Sequence, residues 1–248
     1  MTDTAPKFER VMYELKPRPA TVIAVEQLTP RYRRIVLGGE ALADFQSKSP
    51  TDHIKFQIEV NGQPVRRDYT PRAYANGELT VDFALHGNGP LTTWARNAVP
   101  GHEATILGPR GSKIVQPVFD GYVLIGDETL LPAIGRALEM LPVDAHILAV
   151  IEVDDVTDEI ALAASSNATV VWAHRNGRQP GLAMVEALAT AEWPAGEVFC
   201  WAGGEASAMR GVRRHVLNER GLNREHLSMS GHWKRGESNF DHHAPIED

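Results

Sequence analysis

The run Arg67-Asp68-Tyr69-Thr70-Pro71-Arg72 combines a guanidinium, a phenol and a hydroxyl on a short strand that ends at a proline. Alternation along a strand puts Arg67 and Tyr69 on one face. An arginine can pair with a phosphate, a tyrosine ring can lie against a flat heterocycle, and a neighbouring threonine can hydrogen-bond a ring nitrogen. Those are the parts of a clamp for a flavin, and equally the parts of an ordinary polar strand edge. A second candidate follows in Val81-Asp82-Phe83-Ala84-Leu85-His86-Gly87-Asn88-Gly89-Pro90, which leads into Leu91-Thr92-Thr93-Trp94. Gly89 and Pro90 suit a helix start, whose unpaired amides and positive dipole end favour an anion. His86 is placed to reach a diphosphate or only to cap a strand.

Two further runs combine glycine with polar groups. Val123-Leu124-Ile125-Gly126 passes into Asp127-Glu128-Thr129-Leu130-Leu131-Pro132, a strand end meeting a helix start, where an open α/β sheet seats a nucleotide. The GxGxxG fingerprint is absent, and Asp127 and Glu128 repel a phosphate unless they point away. Trp201-Ala202-Gly203-Gly204-Glu205-Ala206 is a second strand end of this kind, its glycines allowing close backbone approach or a tight turn. Near the end, Gly231-His232-Trp233-Lys234-Arg235-Gly236-Glu237 sets an indole beside two cations. It reads as an aromatic cover over a planar ring or as a terminal strand with a solvated tail.

The elements around these runs differ between the halves. Short strands are expected at Ala20 to Gln27, Tyr32 to Leu37, His53 to Val60, Val65 to Tyr74, Glu78 to Leu85 and Glu103 to Leu107, with one helix near Leu91 to Ala98. Six strands suggest a closed antiparallel β-barrel, with hairpin turns at Asn61-Gly62 and Asn76-Gly77. After Pro117 the chain alternates strand and helix, which implies an open parallel α/β sheet. Its strands are YVLIG, ILAVI, TVVWA, VFCWAG and HLSMS. Its helices are expected at Leu131 to Leu141, Asp155 to Ala164, Leu182 to Ala191 and Ala206 to Arg220. The expected boundaries are an antiparallel β-domain over 1–115, a parallel α/β domain over 116–236 and a tail over 237–248, with a join near Ser112 to Gly121.

Composition narrows the function classes. The chain has 248 residues, 43% hydrophobic and 23% charged, enough to bury a full core. Its net charge of -7 divides unevenly: residues 1–115 hold 15 Lys+Arg against 12 Asp+Glu, and residues 116–248 hold 10 against 20. An acidic chain with 7% aromatics argues against nucleic-acid binding. No apolar run is long enough for a membrane helix and the first residues lack a signal-peptide stretch, so a cytoplasmic, non-membrane protein is expected. Cys200 is the only cysteine, which excludes an internal disulfide and Cys-ligated zinc or iron–sulfur centres. Redox chemistry would need a bound cofactor.

Taken in order, these runs resemble the siderophore-interacting protein family of the ferredoxin-reductase superfamily. RDYTPR is similar to its flavin-binding RxYT motif, and DFALHGNGPLTTWA with GHEATILGPRGS to its next block. GDETLLPAI and WAGGEA resemble its two nucleotide-side loops, and GHWKRGE its C-terminal segment, with His232 where tyrosine is usual and Lys234 where arginine is usual. The resemblance implies noncovalent FAD, NADH or NADPH as electron donor, and a ferric siderophore as the substrate that receives electrons one at a time. It assigns Arg67 to the flavin phosphate, Tyr69 to the ring and Thr70 to a ring nitrogen. Asp68, Asp82, Ala84, His86, Gly89, Pro90, Thr92, Thr93 and Trp94 would complete the flavin site. Thr129, Gly203, Gly204 and Glu205 would meet the pyridine nucleotide, while Trp233 covers the flavin face. Arg31, Arg33, Arg34, Arg72, Lys234 and Arg235 are candidates for steering an anionic ferric complex, and each is equally a surface cation. A general flavin reductase and a siderophore carrier without turnover remain alternatives; the oligomeric state is not legible.

Overall fold

The computed structural model describes residues 7–237, 240 and 246. The chain forms two compact units, Met1–Pro117 and Val118–Asp248. Most of the expected tail over 237–248 lies outside the described residues.

In the first unit the described residues form strands β1 (Phe8–Met12), β2 (Pro17–Thr29), β3 (Tyr32–Gly38), β4 (Ile54–Val60), β5 (Gln63–Tyr69), β6 (Ala73–Ala75), β7 (Glu78–Ala84), β8 (Glu103–Leu107) and β9 (Gly111–Val115), and the α-helix α1 (Pro90–Asn97) between β7 and β8. Seven strands pair antiparallel in the order β5-β4-β8-β2-β3-β7-β6, and β1 pairs with β9 in a separate ribbon. The expected six-stranded closed barrel is therefore corrected to a seven-stranded sheet whose ends, β5 and β6, are not paired with each other. The single strand expected over Val65 to Tyr74 is divided at Thr70, Pro71 and Arg72, because proline has no N–H for the ladder. β9 occupies part of the expected join. Gly111 permits its ribbon, since a Cβ there would lie 2.2 Å from the Val11 carbonyl oxygen. Alternation holds on β4, where Ile54, Phe56 and Ile58 are buried together with Ile35, Leu37, Leu79, Val81, Phe83 and Ile106.

In the second unit, β10 (Gly121–Asp127), β11 (His146–Val153), β12 (Ala168–His174), β13 (Val198–Glu205) and β14 (Leu227–Trp233) form a parallel sheet in the order β12-β11-β10-β13-β14. Every residue of β10 and β13 is buried, as expected where both faces of a parallel sheet are covered. Helices α2 (Leu131–Met140), α3 (Leu182–Thr190) and α4 (Ala206–Arg214) connect the strands. Met184, Leu188, Met209 and Val212 pack with Val123, Ile125, Val150 and Cys200. The helix expected over Asp155 to Ala164 is not formed. A single 3-10 turn, Val156–Asp158, stands in its place, started by the Asp155 carboxylate accepting from the Thr157 amide at 2.9 Å. Glu159 is then drawn to His174 on β12, 2.7 Å away. α4 also ends early, and His215–Glu219 continues it as a π-turn. Among the described residues no helix is long and apolar enough to cross a membrane.

Candidate functional site

The first unit assembles its candidates around β5. Register pairs Arg67 with Phe56 and Tyr69 with Ile54, which puts both on the face that covers the core. The Tyr69 ring centroid lies 4.3 Å from that of Phe83 and 5.8 Å from that of Phe56. Trp94 on α1 joins this cluster at 5.1 Å from Phe56 and 6.0 Å from Phe83. Burial pushes the Tyr69 phenol well above its ordinary range, against the opposing pull of Arg67, so it remains protonated and can pack or donate but not act as a base. Arg67 is exposed above these rings and donates to the Arg66 carbonyl at 2.7 Å. Asp68 pairs with Lys55 at 2.5 Å, and Thr70 is half-buried where β5 ends.

The turn before α1 is exposed from His86 to Pro90. Gly89 is the helix cap and Pro90 the first helical residue, with no side-chain cap and no acid in the first turn. Nothing on the helix therefore competes with an anion for its first amides. The Thr92 hydroxyl donates to the His86 carbonyl at 3.2 Å, and the Thr93 amide to the Gly89 carbonyl at 2.9 Å. Arg96, which the sequence reading did not single out, braces this turn by donating to Leu85 O at 3.0 Å and Asn88 Oδ1 at 3.1 Å. Its position two turns into a predicted helix carried no signal.

Several expected contact residues already have structural partners. Asp82 is fully buried and receives both a bidentate pair from Arg34, at 2.8 and 2.9 Å, and Arg72 at 3.9 Å. Arg33 donates to the Arg96 and Ala98 carbonyls, closing the C-terminal end of α1. The Arg31 carbonyl accepts from Leu85 at 2.7 Å, and Ala84 is half-buried at the end of β7. The exposed cation, the aromatic floor and the uncapped helix start suit a planar, phosphate-bearing group.

In the second unit the candidates meet at the carboxyl ends of β10, β13 and β14. Asp127 is 1% exposed. Its Oδ1 accepts from the Thr129 amide at 2.9 Å and hydroxyl at 2.6 Å, and its Oδ2 from the Glu205 amide and Trp233 Nε1, both at 2.8 Å. Thr129 Oγ1 also lies 3.0 Å from His232 Nδ1. With the threonine proton committed to Asp127, the imidazole donates through Nδ1. Asp127 thus ties two loops and the Trp233 indole together, a role its sequence hinted at only through the Asp-x-Thr spacing of an Asx turn.

Glu205 caps α4 through the Ala208 amide at 2.7 Å, and its other oxygen receives the Arg235 amide at 3.2 Å. Lys234 pairs with Glu237, and the Arg235 side chain is exposed. Glu128 is held by Arg175; burial and the Asp127 charge raise its pKa to about 7 despite that partner. Both acids are thus turned to protein partners, and α2 begins without a side-chain cap or an acid in its first turn. Gly203 lets His232 approach closely, as a Cβ there would lie 2.8 Å from its Nε2. The ends of β10 and β13 lie side by side where an open parallel α/β sheet seats a dinucleotide.

Comparison with known proteins shows the family to which the chain belongs. Residues 119–236 match a family model described as siderophore-interacting protein, and segments 21–64 and 57–113 match one described as siderophore-interacting FAD-binding domain. The chain is 31% identical over 242 residues to the NADPH-dependent ferric-chelate reductase of Escherichia coli, covering 88% of this chain and 94% of that one. It superposes with a TM-score of 0.88 on the crystal structure of a siderophore utilization protein from T. fusca, at 41% identity, over 96% of this chain and 100% of that one. A ferredoxin NADP+ reductase from Neisseria gonorrhoeae with bound FAD and NADP shares the fold, with a TM-score of 0.68 at 12% identity, over 89% of this chain and 100% of that one.

Proposed function

Because the chain belongs to the siderophore-interacting protein family of the ferredoxin-reductase superfamily, we propose that it is a cytoplasmic NAD(P)H-dependent reductase of ferric siderophores that uses noncovalent FAD. The observation that carries the proposal is the pairing of exposed Arg67 with Tyr69 on one face of β5, above Phe56, Phe83 and Trp94, in the same unit as the uncapped start of α1. When bound, the flavin converts the two-electron hydride of the nucleotide into the single electrons that Fe(III) accepts.

The chain's own residues bind and orient. Arg67 pairs with a flavin phosphate, while the first amides of α1 hold a second, with Thr92 lining that turn. Tyr69 packs on the ring and Thr70 hydrogen-bonds its edge. Thr129, Gly203 and Gly204 receive the pyridine nucleotide beside α2, with Glu205 keeping that loop in place. Lys234 and Arg235 attract the anionic ferric complex. Arg33, Arg34 and Arg72 serve mainly to hold α1 and β7, given the partners they already have. No protein ligand to iron is needed, because hard oxygen donors lose affinity for the metal on reduction to the ferrous ion.

An anaerobic visible spectrum tests the proposal. Added NADH or NADPH should bleach the flavin band, and a ferric siderophore with a ferrous trap should restore it while forming the trapped ferrous complex. Flavin that no reduced nucleotide bleaches, or that ferric siderophore leaves bleached, refutes it.

A further inference from the structure

The order β12-β11-β10-β13-β14 reverses between β10 and β13, and a dinucleotide centred on the start of α2 spreads to both sides of that point. The proposed function, on which this inference rests, gives the side of β13 and β14 to the nicotinamide. The adenosine half then falls at the ends of β11 and β12. There the chain reads Glu152-Val153-Asp154-Asp155-Val156-Thr157-Asp158-Glu159, with five carboxylates in eight residues and no cation.

β12 leads into two arginines at this edge, and both are engaged. Arg175 is only 8% exposed. Its Nε lies 3.2 Å from Glu152, its Nη1 lies 3.1 Å from Asp154, and its Nη2 pairs with Glu128. Glu152 is wholly buried and also accepts the Gly181 amide on both oxygens at 2.9 Å. Turning Arg175 outward would strand that carboxylate, and a buried charge without its partner is strongly destabilising. Arg178 is exposed and spans both oxygens of Glu186, at 3.0 and 2.8 Å. His174 is paired with Glu159.

We infer that the chain selects NADH over NADPH as its electron donor, through the acidic end of β11 with Asp154 as the acceptor for the ribose hydroxyl. A 2′-hydroxyl donates to a carboxylate, and Asp154 keeps 49% of its side chain exposed while it pairs with Arg175. A 2′-phosphate is dianionic near neutral pH. At this edge it meets acids, and it can reach a guanidinium only by displacing a carboxylate already in place.

The test uses the full chain loaded with FAD, with anaerobic flavin bleaching by NADH and by NADPH and, in parallel, NAD+ and NADP+ titrations read by tryptophan fluorescence. The expected kcat/KM is at least about tenfold higher for NADH, equivalent to about 1.4 kcal/mol. Raising ionic strength should lower the apparent KM for NADPH more than that for NADH. Asp154→Asn, checked for folding by circular dichroism, should narrow the ratio by at least about threefold, a bound set by loss of one charge at a partly screened distance. Equal or better use of NADPH overturns the inference, as does a ratio unchanged in Asp154→Asn. If neither nucleotide bleaches the flavin, the reductase reading fails on its own. The titrations then still decide donor choice, with tighter NADP+ overturning the inference and tighter NAD+ supporting it.

Discussion

Replacing Asp127 by Asn changes almost no volume and removes one charge from the centre of the second unit's loop cluster. The carboxylate accepts four hydrogen bonds, two on each oxygen, at 2.6 to 2.9 Å. A carboxamide has a single accepting oxygen. In its least costly orientation that oxygen keeps the Glu205 amide and Trp233 Nε1, while the Nδ2 group faces Thr129. The Thr129 hydroxyl can reverse and accept, but its amide then faces another donor. One bond to a charged acceptor is lost outright and the others lose their charge assistance. With such bonds contributing about 1.5 to 3 kcal/mol each, the expected loss is about 2 to 4 kcal/mol. That corresponds to a fall of roughly 6 to 12 °C in the melting temperature of this unit. Urea unfolding followed by tryptophan emission reads both the stability and the freeing of Trp233. Asp127→Asn protein within about 0.5 kcal/mol of the native chain, with unchanged emission, would refute the assignment of Asp127 as the anchor.

Arg67→Ala should weaken FAD binding by about 1.5 to 3 kcal/mol, measured by titrating apoprotein; chromatography of released cofactor should identify FAD, and unchanged affinity removes Arg67 from the flavin site. Trp233→Ala should destabilise the second unit by about 1.5 to 3 kcal/mol in urea unfolding, because Asp127 loses its Nε1 donor; an unchanged midpoint would remove the indole from the set of groups that hold this loop cluster. Glu128 supplies a pH test, since its folded pKa of about 7 exceeds the ordinary 4.5. The native chain then binds more protons than the unfolded one between these values, so this group's contribution to stability falls as pH rises through that window. Glu128→Gln should remove that part of the slope, and urea midpoints from about pH 5 to about pH 8 with the same pH dependence in both proteins would contradict it.

Local chemistry made much of the fold legible. Asn61-Gly62 and Asn76-Gly77 both take positive φ and join β4 to β5 and β6 to β7, as their turn signals require. The alternation of strand and helix after Pro117 marked β10, β11 and β13 as strands of a parallel sheet. Period-two alternation was enough to set Arg67 beside Tyr69, because that relation is contained within one strand. Less legible were relations between distant segments. The pairing of β1 with β9 joins residues about a hundred positions apart and has no hairpin signal at either end. The stretch after Asp155 has helix-forming residues, yet the Asx turn at its start and the pull of His174 on Glu159 keep it extended.

The same division separates residue types from residue roles. By itself the sequence determined the two-part architecture, the positions of the glycine-rich strand ends and the chemical inventory of the candidate site, since these depend on neighbours within a few residues. Only the tertiary structure decided which charges are committed. Register between β3 and β7 sets Arg34 on Asp82, the meeting of β10, β13 and β14 turns Asp127 inward, and the packing of β11 beside β12 places Arg175 among Glu128, Glu152 and Asp154. The physical reason is that a charge acquires its function from the distance to its partners and from its exclusion from water, and both are set by segments remote in the chain.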